Sequence, residues 1–153
     1  MVATAENEGI QTLSVEREVL IGAPLELAFE ALLEELGPAN LVPGGQAMPM
    51  VLESWPGGRW FRDLGNGSGH LWGHVQVIKP PALLEISGPL FMSYPGMNHL
   101  QYRLVTEGSG TRLKLTHRAL GEIPADHREG IGAGWDYLLN RVRELAESRR
   151  KSG

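Results

Sequence analysis

Apolar and polar residues alternate in the first structured stretch of the chain and then recur at helical spacing. Within Ser14–Ile21 the apolar side chains at every second position face away from the glutamates between them, which predicts a half-buried strand. After Pro24, apolar residues at steps of three and four predict an amphipathic helix over Leu25–Leu36, which Gly37 and Pro38 end. The chain therefore opens with a strand followed by a helix.

The middle of the chain has the pattern of an antiparallel meander. Residues 38–48 are rich in proline and glycine and predict a short helical turn and a loop. Short apolar stretches separated by turn residues then predict six strands. These are Pro49–Trp55, Arg59–Leu64, His70–Ile78, Leu83–Ser87, His99–Thr106 and Thr111–Leu120.

A long amphipathic helix from about Pro124 to Glu147 is predicted to close the chain. An antiparallel sheet with its helices on one face is an α+β arrangement, and a sheet of this size curls because its strands twist. The long helix then buries its apolar stripe in the concave side. We expect one domain over residues 13–148, with a flexible tail at 1–12 and a basic tail at 149–153.

Composition excludes several classes of protein. The chain has 153 residues, no cysteine and a net charge of −4. The lack of cysteine excludes disulfides, thiolate metal sites and a catalytic cysteine, and fits a reducing compartment, so we expect a cytoplasmic protein. The acidic balance argues against nucleic-acid binding. No apolar run approaches the roughly 20 residues that span a bilayer, and we expect no membrane association and no secretory signal.

Several motifs resemble one protein family. They include the Pro56–Trp60 hairpin, the Trp72–Val75 stretch, the run Gly110–His117, and the pair Gly134-Trp135 on the last helix. In order and spacing they resemble the helix-grip, START-like (SRPBCC, Bet v 1-like) superfamily, and within it the family named for the Hsp90 ATPase activator homologue, over residues 14–147. The resemblance implies a β-α-α-β6-α fold around an apolar cavity.

The resemblance leaves function open, because members include ligand binders, cyclase-like enzymes, resistance proteins and co-chaperone domains. This sequence also departs from the family pattern. Many members have a tryptophan in the turn after the first helix, whereas Gly37–Met50 contains none. The mouth of the cavity is therefore expected to differ.

Our first hypothesis is a non-catalytic protein that binds a small apolar ligand, aromatic or lipid-like, between the sheet and the last helix. Trp135 lies at the centre of the apolar stripe, and Gly130, Gly132 and Gly134 beside it either delay the start of the helix or leave space for a ligand. The predicted ligand-binding residues are Trp60, Phe91, Tyr102, His117, Trp135 and Leu139.

His117 carries the alternative, enzymatic hypothesis. It shares a strand face with Leu113 and Leu115, so we expect it to point inward. It is then a buried histidine satisfied by a backbone or hydroxyl partner, a polar anchor for the ligand, or a general base in a cyclase-like reaction. Tyr102 on the adjacent strand is a candidate hydroxyl partner.

A third hypothesis is a co-chaperone-like interaction domain. Alternation places Trp72 and His74 on the outer face of the sheet, and His99 and Arg103 extend this surface toward a protein partner or a second copy of the chain. His70 and His74 lie about 13 Å apart on a strand, too far to share a metal ion. The sequence contains no phosphate loop, nucleophile elbow or paired carboxylates, and we expect no cofactor and no metal site.

Overall fold

A computed structural model describes residues 9–152 of the chain. This part of the chain contains two helices and seven strands: one strand, one helix, six further strands and a second helix. In order they are β1 (Gln11–Ile21), α1 (Leu25–Leu36), β2 (Val51–Leu52), β3 (Arg59–Gly65), β4 (Ser68–Lys79), β5 (Leu83–Gly88), β6 (Gly96–Glu107), β7 (Gly110–Gly121) and α2 (Ala125–Ser152).

The strands form one antiparallel sheet in the order β1-β7-β6-β5-β4-β3-β2. Consecutive hairpins build the meander from β2 to β7, and β1 joins β7 at the far edge. The buried stripe of α2, with Trp135 and Leu139 at its centre, packs between the sheet and α1. This is the α+β helix-grip fold, and the predicted fold class is confirmed.

Several element boundaries differ from the prediction. β1 begins at Gln11, three residues before the predicted Ser14. α2 continues to Ser152 because Arg149 pairs with Glu34 of α1 and Arg150 Nη1 donates to Gly22 O at 2.8 Å. The predicted basic tail is therefore helical as far as Ser152. Residues 1–8 of the predicted N-terminal tail and Gly153 lie outside the described residues.

The predicted helical turn at residues 38–48 does not form. The segment instead folds through turns around an isolated bridge between Leu41 and Ala47. Gly44 and Gly45 adopt φ values of 103° and 88°, in the left-handed region that a right-handed helical turn excludes. This segment, which we call the 38–48 loop, lies across one end of the α1–α2 layer.

β4 departs twice from regular alternation. Trp60 and Phe61 of β3 pair with Gly73 and Leu71, which leaves Trp72 as an extra residue on β4. A second shift lies between Val75 and Val77. A β-bulge changes which face the following side chains occupy. The strand therefore carries Trp72 toward the interior, where regular alternation would have placed it outside.

No helix within residues 9–152 combines the length and the apolar character that a bilayer span requires.

Candidate ligand cavity

A cavity of about 180 Å³, partly open to solvent, lies between α2, the 38–48 loop and the β3–β4 part of the sheet. Its aromatic wall consists of Trp60, Trp72, Phe91 and Trp135. Its remaining lining is mostly aliphatic and comes from α1, α2, the 38–48 loop and the β5–β6 connection. Those residues are Leu36, Asn40, Leu41, Val42, Pro43, Met48, Leu90, Gly134, Tyr137 and Leu138.

The aromatic wall is held by ring contacts and one hydrogen bond. The ring centroids of Trp60 and Trp72 are 5.0 Å apart with the planes at 79°, an edge-to-face contact. Trp72 also contacts Phe91, with centroids 5.6 Å apart. Trp60 is buried, and its Nε1 donates to Leu36 O at 2.7 Å, which joins the sheet to the end of α1. The wall is therefore fixed by contacts of the protein alone.

The 38–48 loop is attached to both helices. Tyr137 Oη of α2 donates to Val42 O at 2.9 Å. The side chain of Asn40 donates through Nδ2 to Glu35 O at 3.0 Å. The fully buried carboxylate of Glu35 pairs with Arg141, with 3.1 Å between Oε1 and Nε. Burial raises the pKa of Glu35, and Arg141 opposes that rise.

The three glycines of α2 have different surroundings. A Cβ at Gly132 would lie 2.2 Å from Arg17 Nη2, so this glycine lets the Arg17 side chain cross the helix to Asp136. A Cβ at Gly130 or Gly134 would meet no atom within 4 Å. Of these two, only Gly134 lines the cavity. Gly134 is itself exposed, so it lies where the cavity opens to solvent, and a larger side chain there has room to occupy the opening.

A directional chain of hydrogen bonds runs beneath the cavity. Trp135 Nε1 donates to His117 Nδ1 at 3.0 Å, and His117 Nε2 lies 2.7 Å from Asn98 Oδ1. Asn98 Nδ2 in turn donates to Gly88 O at 3.1 Å. Because the indole can only donate, Nδ1 of the imidazole must accept and Nε2 must carry the proton. The chain therefore requires a neutral histidine in one tautomer.

The surroundings of His117 disfavour a role as general base. Burial, and secondarily His127, lower the pKa of His117 to about 4. The side chain is fully buried, does not line the cavity, and has both ring nitrogens engaged by protein groups. No ring nitrogen remains to accept a proton from a substrate. The inward orientation predicted for His117 is confirmed, while its partners are an amide and an indole.

The predicted partnership between Tyr102 and His117 is wrong. The Tyr102 hydroxyl is sealed from solvent and has no hydrogen-bond partner in the described residues. Its burial raises the pKa of the phenol. Tyr102 packs on the inner face of β6 between Leu100 and Leu104, both almost completely buried.

The predicted ligand-binding residues divide into two sets. Trp60, Phe91 and Trp135 line the cavity, and their contact with a ligand stays a prediction. Tyr102, His117 and Leu139 do not line it, and their assignment to the lining is corrected here. They are at most 2% exposed, and Tyr102 and His117 share the inner face of the sheet with four leucine side chains. These are Leu100, Leu104, Leu113 and Leu115, each at most 1% exposed.

Trp72 does not belong to the predicted outer surface of the sheet. Trp72 is half-buried and lines the cavity, because the β-bulge at this position turns its side chain inward. His74 and Arg103 are exposed, and His99 Nε2 lies 3.1 Å from Glu85 Oε1. Binding of a protein partner or a second copy by His74, His99 and Arg103 stays a prediction.

Sequence reasoning missed Trp72 and Asn40 as lining residues. The adjacent Gly73 was the available signal for Trp72, since an isolated glycine within a strand often marks a bulge. Asn40 gave no signal, because an asparagine in a segment rich in proline and glycine is the ordinary composition of a turn. Within residues 9–152, no three metal-ligating side chains come together.

Comparison with known proteins shows the family of the chain. The model of the Activator of Hsp90 ATPase homolog 1-like protein family matches residues 22–147. No curated protein matches the chain.

Solved structures share the fold at low sequence identity. An uncharacterized protein from Rhizobium leguminosarum has a TM-score of 0.70 and 17% identity, over 92% of this chain and 97% of that one. Ara h 8.0201 has a TM-score of 0.64 and 14% identity, over 92% of this chain and 99% of that one. CalU16 from Micromonospora echinospora has a TM-score of 0.60 and 19% identity, over 93% and 90%.

Proposed function

This chain belongs to the Activator of Hsp90 ATPase homolog 1-like family, and from that premise we propose that it is a non-catalytic protein that binds a small, neutral, aromatic ligand in the cavity. The observation that carries the proposal is the wall of three indoles, Trp60, Trp72 and Trp135, facing a space that Gly134 leaves open. The fold is compatible with other activities, so the proposal rests on the cavity itself.

The size of the cavity limits the ligand to about one substituted ring. An apolar protein cavity of about 150 Å³ is large enough to bind benzene. The cavity of this chain is slightly larger, at about 180 Å³. It is smaller than the roughly 300–1,000 Å³ of sites that hold drug-sized ligands. A long acyl chain or a polycyclic ligand would require the 38–48 loop to move.

The chemistry of the lining favours a neutral apolar ligand. Within the described residues, no lining side chain carries a charge, so a charged ligand would lose its hydration without gaining an ion pair. Affinity would come from burial of apolar area, at about 25 cal/mol per Å² before ordering costs, and from ring contacts with the indoles.

The proposal is tested by filling the space at Gly134. We expect Gly134→Leu to weaken binding of p-xylene at least about tenfold, which corresponds to about 1.4 kcal/mol. The matched control is Gly130→Leu, on the same helix but outside the lining. Both substitutions replace a helical glycine and should stabilise α2 by up to about 1 kcal/mol. Isothermal titration calorimetry measures the affinity, and urea denaturation measures the stability.

The outcomes separate a cavity effect from a helix effect. Loss of p-xylene affinity in Gly134→Leu alone supports binding in the cavity. An equal change in both variants, or saturable binding that neither changes, would place the ligand elsewhere and overturn the proposal. Absence of saturable binding of any monocyclic aromatic probe to the unmodified chain would overturn it as well.

A further inference from the structure

We infer that Asn40 is the polar anchor of the cavity, and that the ligand is an aromatic molecule with a neutral hydrogen-bond donor, such as a phenol. This inference rests on the proposed function and adds the chemical class of the ligand. It starts from an acceptor atom that the protein leaves unused. Asn40 is only 8% exposed, and it lines the cavity.

The two polar atoms of the Asn40 side-chain amide differ in their hydrogen bonding. Nδ2 donates to Glu35 O at 3.0 Å, and this bond fixes the orientation of the amide. The other atom is therefore Oδ1, an acceptor, and no group within residues 9–152 donates to it. An acceptor with so little access to water is incompletely hydrated, and a suitable donor on a ligand would satisfy it.

The free acceptor faces the cavity. In the described part of the chain, the unpartnered side-chain atoms that are sealed from solvent are Tyr102 Oη and His127 Nε2. Asn40 Oδ1 is not among them, so this atom keeps accessible surface. Because Asn40 is almost completely buried and lines the cavity, we assign that surface to the cavity.

The other polar groups of the lining are already engaged or reach water. Trp60 Nε1 donates to Leu36 O, and Trp135 Nε1 donates to His117. The Tyr137 hydroxyl donates to Val42 O. Trp72 Nε1 has no partner among residues 9–152, but the side chain is half-buried and its donor can be hydrated. Asn40 Oδ1 is thus the acceptor that a ligand would satisfy.

This arrangement selects the polar group of the ligand. A phenolic hydroxyl or an indole N–H can donate to Oδ1 and remains neutral near pH 7. A carboxylate offers no donor to Oδ1, and it would lose its hydration in a lining without charged side chains. Aromatic acids should therefore bind worse than the corresponding phenols.

A ligand pair that differs in one group tests the anchor. p-Cresol and p-xylene have nearly the same shape, but only p-cresol has a hydroxyl. We expect Asn40→Leu to lower the ratio of p-cresol affinity to p-xylene affinity about 3- to 10-fold, the value of one neutral hydrogen bond. The control is Gly130→Leu, on α2 but outside the lining, which should leave the ratio unchanged.

The ratio separates this inference from the proposed function. Loss of the cavity would weaken both probes together and leave their ratio unchanged, whereas loss of the anchor lowers p-cresol affinity selectively. An unchanged ratio in a folded Asn40→Leu variant that still binds p-xylene would overturn the inference while the proposed function stands. Failure of both probes to bind the unmodified chain would overturn both.

A measurement on the unmodified chain keeps the inference testable if Asn40→Leu does not fold. The two rings produce similar ring-current shifts, so a difference between the probes reports on the hydroxyl. We expect the side-chain amide resonances of Asn40 to move further on saturation with p-cresol than with p-xylene. Equal shifts would overturn the inference.

Discussion

The interface between the sheet and α2 has two regions that are built from similar residues and end up different. Tyr102, His117 and Leu139 are at most 2% exposed and do not line the cavity. Around Trp60 and Trp72 a cavity of about 180 Å³ remains. Trp135 belongs to both, since its ring lines the cavity and its Nε1 bonds to His117. The apolar character of the residues therefore does not decide which region is hollow.

Local backbone features account for the difference. In the packed region, Leu100 and Leu104 of β6 flank Tyr102, Leu113 and Leu115 of β7 precede His117 on the same face, and all four leucines are at most 1% exposed. In the cavity region, Gly134 presents no side chain, and the 38–48 loop folds through turns in place of the predicted helical turn. Both regions leave one polar atom without a partner. In the packed region a hydrogen-bond chain runs from Trp135 to Gly88, and the sealed Tyr102 hydroxyl stays unpartnered. In the cavity region the unpartnered atom is Asn40 Oδ1.

Substitution of Trp135, which belongs to both regions, should have the largest effect on stability and on ligand binding. Trp135→Ala removes the buried indole and the donor to His117, and we expect it to lower the free energy of unfolding by about 3–5 kcal/mol and to abolish p-xylene binding. Trp135→Phe keeps an aromatic ring but leaves His117 Nδ1 without a donor, at a cost of about 1–3 kcal/mol. Urea denaturation and calorimetry measure the two quantities. A loss of binding without a loss of stability would show that Trp135 is not part of the packed region.

Neighbouring leucines on α2 sharpen the comparison, because they fall in different regions. Leu139 is 2% exposed in the packed region, whereas Leu138 is half-buried and lines the cavity. We expect Leu139→Ala to cost about 2–5 kcal/mol and Leu138→Ala about 1 kcal/mol. Only Leu138→Ala should alter p-xylene affinity. Leu139→Met conserves volume and should cost less than about 1.5 kcal/mol. Equal costs for the two alanine variants would contradict the distinction between the regions.

The hydrogen-bond chain through His117 makes the stability of the protein depend on pH. The pKa of His117 falls from 6.5 to about 4 on folding, so the unfolded chain binds a proton in this range and the folded chain does not. The stability from His117 is complete above pH 6.5 and is lost as the pH falls toward 4. The free energy of unfolding that is lost over this range is about 3 kcal/mol, at about 1.4 kcal/mol per pKa unit.

Comparison with His117→Leu isolates this contribution, because His127 and the carboxylates also titrate. The variant should be less stable than the unmodified chain at pH 7, since Asn98 and Trp135 lose their partner. It should also lack the one-proton decline between pH 6.5 and 4. Urea denaturation at a series of pH values measures both effects. Parallel stability curves for the two proteins would mean that His117 is not held neutral.

Sequence patterns predicted the packed region better than the cavity. Inward positions on β7, including His117, follow directly from regular alternation, and the order of the elements follows from the turn residues between them. Alternation failed at Trp72, where one extra residue reverses the face and the sequence alone does not show where strands pair. It also could not place Asn40, whose burial depends on the contact between a loop and α1.

The sequence predicted an apolar cavity beside the last helix but did not predict its position. The three glycines of α2 suggested space for a ligand, yet only Gly134 opens into the cavity, because the Arg17 side chain fills the space beside Gly132. The hydrogen bonds that engage both nitrogens of His117 depend on three separate elements, β6, β7 and α2. The local sequence pattern of one strand does not predict such tertiary contacts.

The most direct test of ligand binding in the cavity uses the four tryptophans as reporters. Trp60, Trp72 and Trp135 line the cavity, whereas Trp55 is 57% exposed and does not. In a titration of the unmodified chain with p-xylene, followed by ¹H–¹⁵N NMR, the three cavity indole resonances should shift together and saturate while that of Trp55 stays in place. Shifts of all four that grow linearly with concentration, or no shift of the three, would contradict binding in the cavity.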